Sequence, residues 1–189
     1  MRIGFDNEKY LRMHLNTSDR GSNSLITNYY LEFGGKLFDD YHASRVLPGF
    51  EPDSKLRMLM HLSDRQQIII VISAKDIEKN KVRGDLGITY DTDVLRLMDS
   101  FRQNGLYVGS VVITQYSGQK SADLFRQPPE KYGNPVSSTP TYIIEGYPSN
   151  IPHIVSDEGY GRNDYIETSK PLVVITASGP GSGKMATCL

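Results

Sequence analysis

Gln67-Ile68-Ile69-Ile70-Val71-Ile72-Ser73 is the stretch on which the fold turns. It is β-branched, apolar and without alternation, and too short for a helix. A strand of this kind is buried on both faces, as in the middle of a parallel sheet. Val108 to Thr114 and Leu172 to Thr176 share its character. Between the first two lies Thr92 to Asn104, whose Val94, Leu95, Leu97, Met98 and Phe101 recur at helical spacing before Gly105 closes the segment. Strands alternating with helices at separations above a dozen residues are the arithmetic of βαβ units. The predicted class is therefore α/β: a Rossmann-like, mainly parallel sheet with flanking helices.

Working outward, Asp6 is placed to cap a helix from Asn7 to His14, and Asn16 to Asn28 reads as a loop. Tyr29 to Phe33 is strand-like. Its alternative is an antiparallel edge strand, which would make the fold α+β. Short helices are expected over Lys36 to Ser44, Asp53 to Leu62 and Ser121 to Phe125, and a last strand over Tyr142 to Ile144. Lys75 to Lys81 reads as a charged segment after the central strand, and Asp91 as the cap of the helix starting at Thr92. A single domain over 1–189 is expected, with 1–28 a helical and loop lead-in and 183–189 the start of a truncated helix.

The chain has 189 residues, with 38% hydrophobic and 23% charged, a globular profile. Lys plus Arg number 21 and Asp plus Glu 22, a net charge of −1, so bulk charge gives no pull toward nucleic acid or an anionic membrane. The lone cysteine, Cys188, excludes an intramolecular disulfide, and the 4 histidines show no H-x-x-x-H or H-E-x-x-H spacing. No apolar run approaches the roughly 20 residues needed to span a bilayer, and the first residues are too polar for a signal peptide. A cytoplasmic location without nucleic-acid or membrane partners is the expectation. Oligomeric state is left open.

The chemistry concentrates in glycine-rich loops. Leu172 to Thr176 runs into Ser178-Gly179-Pro180-Gly181-Ser182-Gly183-Lys184-Met185. A strand, a glycine loop and Gly-Lys form the recipe for a phosphate cradle, because backbone N–H groups and a mobile lysine converge on one anion. Against G-x-x-x-x-G-K-[ST], Gly183 and Lys184 match. Ser178 replaces the first glycine, and Met185 replaces the hydroxyl residue that ligates Mg²⁺. A plain glycine turn joining strand to helix is the competing reading. Gly34-Gly35-Lys36 is a second glycine pair with a lysine at a strand end, read as an anion contact or a tight turn. Glu32 beside it implies either an exposed face or a cation partner such as Lys36 or Arg45. Arg83 and Asp85 follow the central strand, where open α/β sheets carry their sites, and a structural salt bridge or a solvated loop is the competing reading. Asp76, Asp85 and Asp157 are the carboxylates available to Mg²⁺ or a ribose. Candidate cofactor-binding residues are therefore Gly34, Gly35, Lys36, Arg83, Asp85, Asp157, Gly179, Gly181, Ser182, Gly183 and Lys184, with no metal-ligand set and no catalytic residue assigned.

Leu31-Glu32-Phe33-Gly34-Gly35-Lys36-Leu37-Phe38-Asp39-Asp40-Tyr41-His42, Arg45-Val46-Leu47-Pro48-Gly49-Phe50, and Asp76 to Glu78 through Arg83-Gly84-Asp85 closely resemble the bacterial family of unknown function DUF1846, also called UPF0371. So do Gly87 to Asp91 through Leu97, Val155 to Gly161, and Gly179 to Leu189. The resemblance covers nearly the whole chain. Family members are longer, which implies that this chain carries the amino-terminal part of a larger protein. Two stretches depart from the pattern: Asn16 to Thr27 is short and polar, and Pro128, Pro129 and Pro135 end any helix near Arg126. The resemblance implies no activity.

The reading that results is a nucleotide- or phosphate-metabolite-binding module of a larger enzyme, its ligand a phosphorylated small molecule, with Mg²⁺ as an accompanying ion. The alternatives are a non-catalytic interaction or scaffold domain, or a truncated fragment without independent activity. The residues do not specify a reaction.

Overall fold

The computed structural model describes residues 4–10, 12–13, 29–33, 36–38, 40–127 and 136–188. Five strands, β1 (Tyr29–Glu32), β2 (Gln66–Ser73), β3 (Val108–Tyr116), β4 (Ser137–Tyr142) and β5 (Leu172–Ala177), form one sheet in the order β1-β5-β2-β3-β4. Every pairing is parallel. β1 joins β5 in register from Tyr29↔Leu172 to Glu32↔Ile175, so the α+β alternative falls away. The fold is Rossmann-like α/β.

β2 is buried at all its positions, as its unbroken apolar sequence requires. Alternation across the strand divides those side chains between two cores. Ile68, Ile70 and Ile72 join the larger core, against α2 (Ser54–His61), α3 (Ala74–Glu78), α4 (Tyr90–Gln103) and α5 (Lys120–Arg126). Met58 and Leu59 come from α2, Ile77 from α3, and Val94, Leu97, Met98 and Phe101 from α4. Phe101 is fully buried, its ring centroid 5.0 Å from that of Phe38. Ile69 and Val71 face the other way with Val112, Val173 and Ile175. On that smaller core pack Ile166 and Cys188, the latter following α7 (Lys184–Thr187). α1 (Tyr41–Val46) and α6 (Ile151–Ile154) are further helices, with a 3-10 turn at Tyr160–Arg162.

The expected helix at Asn7 is present over residues 7–10 and 12–13, and the Asp6 carboxylate accepts the Lys9 N–H at 3.0 Å. Several boundaries differ from the sequence expectation. The helix expected over Lys36 to Ser44 is α1, displaced because buried Asp40 caps it by accepting the Ala43 N–H at 3.2 Å. The segment after β2 is helical because Ser73 caps it, its hydroxyl accepting the Lys75 N–H. α4 starts at Tyr90 with Thr89 as N-cap, so Asp91 is a first-turn residue and not the cap. The fourth strand is Ser137–Tyr142, upstream of Tyr142 to Ile144. Pro140 is tolerated there because β4 is an edge strand, where one side of the backbone forms no ladder. Among the described residues, no helix is long and apolar enough to cross a membrane.

Candidate functional site

The order β1-β5-β2 brings the carboxyl ends of three strands together. The segments leaving them enclose a cleft of about 340 Å³, where open α/β sheets bind ligands. β1 delivers Lys36 and Phe38, β2 and its following turn deliver Arg83, Asp85 and Tyr90, and β5 delivers Ser178, Gly179 and Lys184.

The glycine loop crosses the end of the sheet in a fixed path. The Ser182 hydroxyl donates to the Gly179 carbonyl at 3.0 Å, and the Thr114 hydroxyl of β3 donates to the Ser182 carbonyl at 2.5 Å. Gly183 has φ +89°, and a Cβ there would come within 3.0 Å of Thr114 Cγ2. Gly179 is constrained by proximity instead: its Cβ would lie 2.7 Å from the Tyr90 ring. Backbone N–H groups at Gly179, Gly181, Ser182 and Gly183 donate to no acceptor among the described residues. Beyond the loop, Lys184 returns to the cleft with Nζ 3.7 Å from Glu32 Oε1. Glu32 is exposed, as one of its two readings expects, and faces Lys184 rather than Lys36 or Arg45.

Opposite the loop, two carboxylates organise three cations. Arg83 directs Nη1 to Asp93 Oδ2 at 2.6 Å, and Nε and Nη2 to the two Asp85 oxygens at 3.2 and 3.0 Å. Lys36 Nζ reaches Asp85 Oδ2 at 2.5 Å. Arg96 donates to the other oxygen of Asp93 through Nε and Nη2, both at 2.9 Å. Asp93 is wholly buried in the first turn of α4, where a negative charge is favoured by the helix dipole. Hydrogen bonds from Arg83, then Lys36, hold the Asp85 carboxyl well below the usual carboxylate range. Burial works to lower the Arg83 pKa, but its hydrogen bonds to Asp85 and Asp93 outweigh that and raise it.

Cations predominate in the lining of this cleft. Among the described residues, Lys36, Arg83, Arg96 and Lys184 line it against Asp85, 4 − 1 = +3, in a chain of net charge −1. Asp93 behind the arginines and Glu32 beside Lys184 reduce this to +1 without changing its sign.

Of the residues singled out from sequence, Lys36, Arg83, Asp85, Gly179 and Lys184 line this cleft. Gly181, Ser182 and Gly183 lie in the same loop, where Ser182 is buried and Gly183 packs against Thr114. Gly34 and Gly35 fall outside the described residues. Asp157 is elsewhere: it lines a second cleft of about 640 Å³ with Tyr30, Ile69 and Tyr160, on the side of the sheet that carries the smaller core. Asp76 lines neither cleft and pairs with Lys81 at 3.1 Å. The three carboxylates considered for Mg²⁺ or a ribose therefore do not converge. Among the described residues, no group of three or more His, Cys, Asp or Glu is placed to hold a metal ion.

The candidate residues drawn from the sequence did not include Arg96, Asp93, Tyr90 or Thr114. The i,i+3 spacing of Asp93 and Arg96 was a visible signal. The contact of Thr114 with Ser182 spans 68 residues and left none.

The profile described as "Domain of unknown function DUF1846, N-terminal" matches residues 3–189. The chain belongs to the DUF1846 family. It is 56% identical over 188 residues to a UPF0371 protein of Streptococcus sanguinis (strain SK36), a match covering 100% of this chain and 38% of that protein. The UPF0371 protein of Streptococcus thermophilus (strain ATCC BAA-491 / LMD-9) is 54% identical over 185 residues, 98% of this chain and 37% of the relative. That of Streptococcus pneumoniae (strain Hungary19A-6) is 52% identical with the same coverage. This DUF1846 chain therefore spans well under half the length of the curated relatives it matches.

Proposed function

We propose that the cleft at the carboxyl ends of β1, β5 and β2 binds a phosphorylated small molecule, a nucleotide or a phosphate metabolite. The observation that carries this reading is the meeting of two elements far apart in sequence. One is a fixed glycine loop, four of whose backbone N–H groups donate to no acceptor among the described residues, with Gly179 and the following Lys184 lining the cleft. The other is the Lys36, Arg83 and Arg96 cluster facing it. Phosphate oxygens accept several hydrogen bonds at once and carry the charge that such a cleft favours. Lys184 supplies a mobile charge, since its 3.7 Å separation from Glu32 is longer than a hydrogen bond. Arg83, with Nε, Nη1 and Nη2 all engaged, acts chiefly as a rigid brace. In the longer relatives the same cleft would serve as the phosphate-binding part of a larger protein.

Isothermal titration of the 189-residue chain with ADP, pyrophosphate and ribose 5-phosphate tests the reading. Binding of at least one is expected, weakened about tenfold or more in Lys184→Ala, the scale of one lost charge-assisted hydrogen bond. Absence of binding to all three at millimolar concentration overturns it.

A further inference from the structure

Among the described residues Asp85 is the one acid lining the cationic cleft, and it occupies cations that an entering anion would seek. Its carboxylate takes three hydrogen bonds, from Lys36 Nζ at 2.5 Å and from Arg83 at 3.0 and 3.2 Å. The two partners differ. Arg83 has a 10% exposed side chain and is fixed from behind by buried Asp93. Lys36 is 40% exposed and forms its ion pair with Asp85, with Asp40 near enough to feel its charge. Asp85 itself sits on a short turn pinned by the hydrogen bonds Arg83 N–H to Ile88 O and Gly87 N–H to Arg83 O. A carboxylate on so short a tether stays at high effective concentration beside Lys36.

We propose that Asp85 is a built-in competitor for Lys36, and that this competition makes the cleft selective for phosphoryl dianions over monoanions of the same shape. The proposal rests on the anion-binding reading above. A monoanion that takes Lys36 from Asp85 exchanges one negative charge for another and gains little, while losing its translational freedom. A phosphoryl dianion brings a second charge, which Lys184 and the exposed edge of Arg96 can meet while Lys36 is released. Asp85 keeps its two-oxygen contact with Arg83 throughout, so the turn need not unfold to admit the ligand.

The test compares phenyl phosphate with benzenesulfonate, a dianion and a monoanion of similar shape, at about pH 8, where the phosphate second pKa near 6 leaves it doubly charged. Ionic strength is held constant, since these contacts are screened by salt. The unmodified chain is expected to bind phenyl phosphate the more tightly. Asp85→Asn should raise benzenesulfonate affinity more than phenyl phosphate affinity, narrowing the ratio about tenfold. Asp85→Glu should preserve the ratio, and Lys36→Gln should abolish the effect of Asp85→Asn in the double variant. An unchanged ratio in an Asp85→Asn protein that melts like the parent overturns the competitor role while leaving anion binding intact. Failure of the parent to bind either probe overturns the selectivity proposal, while the anion-binding reading stands or falls with ADP, pyrophosphate and ribose 5-phosphate. Should Asp85→Asn not fold, Lys36→Gln alone decides: the proposal requires it to lose more affinity for phenyl phosphate than for benzenesulfonate, and equal losses overturn it.

Discussion

Replacing Asp93 by Asn probes the brace beneath the cleft. The side chain is 0% exposed and accepts from Arg83 Nη1 at 2.6 Å and from Arg96 Nε and Nη2 at 2.9 Å. Asparagine preserves the shape, removes the charge and turns an NH₂ group toward one of two guanidinium donors. Breaking a fully buried ion pair costs about 3–5 kcal/mol. Two features reduce that figure here. Asp85 still compensates Arg83, and Arg96 is 35% exposed, so water recovers part of its hydration. We expect a loss of about 2–4 kcal/mol. With a urea m-value of about 2 kcal/mol per molar, the unfolding midpoint followed by circular dichroism should fall by about 1–2 M at constant m. A fall below about 0.3 M would refute the view that Asp93 holds the two arginines in place.

Gly183→Ala must adopt φ +89° and push on Thr114, so it should lower stability by about 1–3 kcal/mol in the same urea assay. Phe101→Ala empties the centre of the larger core and should cost about 3–5 kcal/mol, read as an early thermal transition with the helical signal otherwise preserved. Asp85 has a folded-state pKa below its unfolded value of 3.8 because Arg83, then Lys36, hydrogen-bond it. Its contribution is thus fully present above pH 3.8 and is lost as pH falls through the folded pKa. The difference in urea midpoint between the parent and Asp85→Asn should accordingly be flat from about pH 5 to 8 and shrink below about pH 4. Burial, then the nearby Glu32 charge, raises the Cys188 thiol pKa, so alkylation by iodoacetamide at about pH 8 should be slower than for a free cysteine and should recover on unfolding in urea.

The sheet was legible because its information is local. Ile68 to Ile72 and Val173 to Ile175 announce doubly covered strands without reference to anything else in the chain. The α4 stripe of Val94, Leu97, Met98 and Phe101 does the same for its helix. Boundaries failed where a polar side chain intervened, as at Asp40 and Ser73, whose capping bonds reset the helix starts. β4 was displaced because Pro140 argues against a strand unless the strand is known to lie at an edge, a property of the assembled sheet. The cleft was half legible. Lys36, Arg83, Asp85 and Lys184 follow strands, where a site belongs. That Asp157 would end beside the other core depends on which face the 151–168 segment covers, and no local pattern encodes that.

The interior position of β5 also bears on how the molecule is made. β1 lies at the sheet's edge and has β5 as its strand neighbour, so Tyr29 must wait for Leu172, 172 − 29 = 143 residues later. At translation rates of about 5–20 residues per second, β1 leaves the ribosome roughly 7–30 s before the strand it pairs with. During that interval β2 and β3 can pair, since β3 follows directly after α4, but the gap beside β2 is unfilled. The aromatic pair Tyr29-Tyr30 is then exposed to chaperones or to neighbouring chains. When β5 enters, it docks β1, brings Lys184 opposite Lys36 and draws the glycine loop onto Thr114 in one event. The cleft is thus a late product of biosynthesis, and a nascent chain stalled short of Leu172 lacks it.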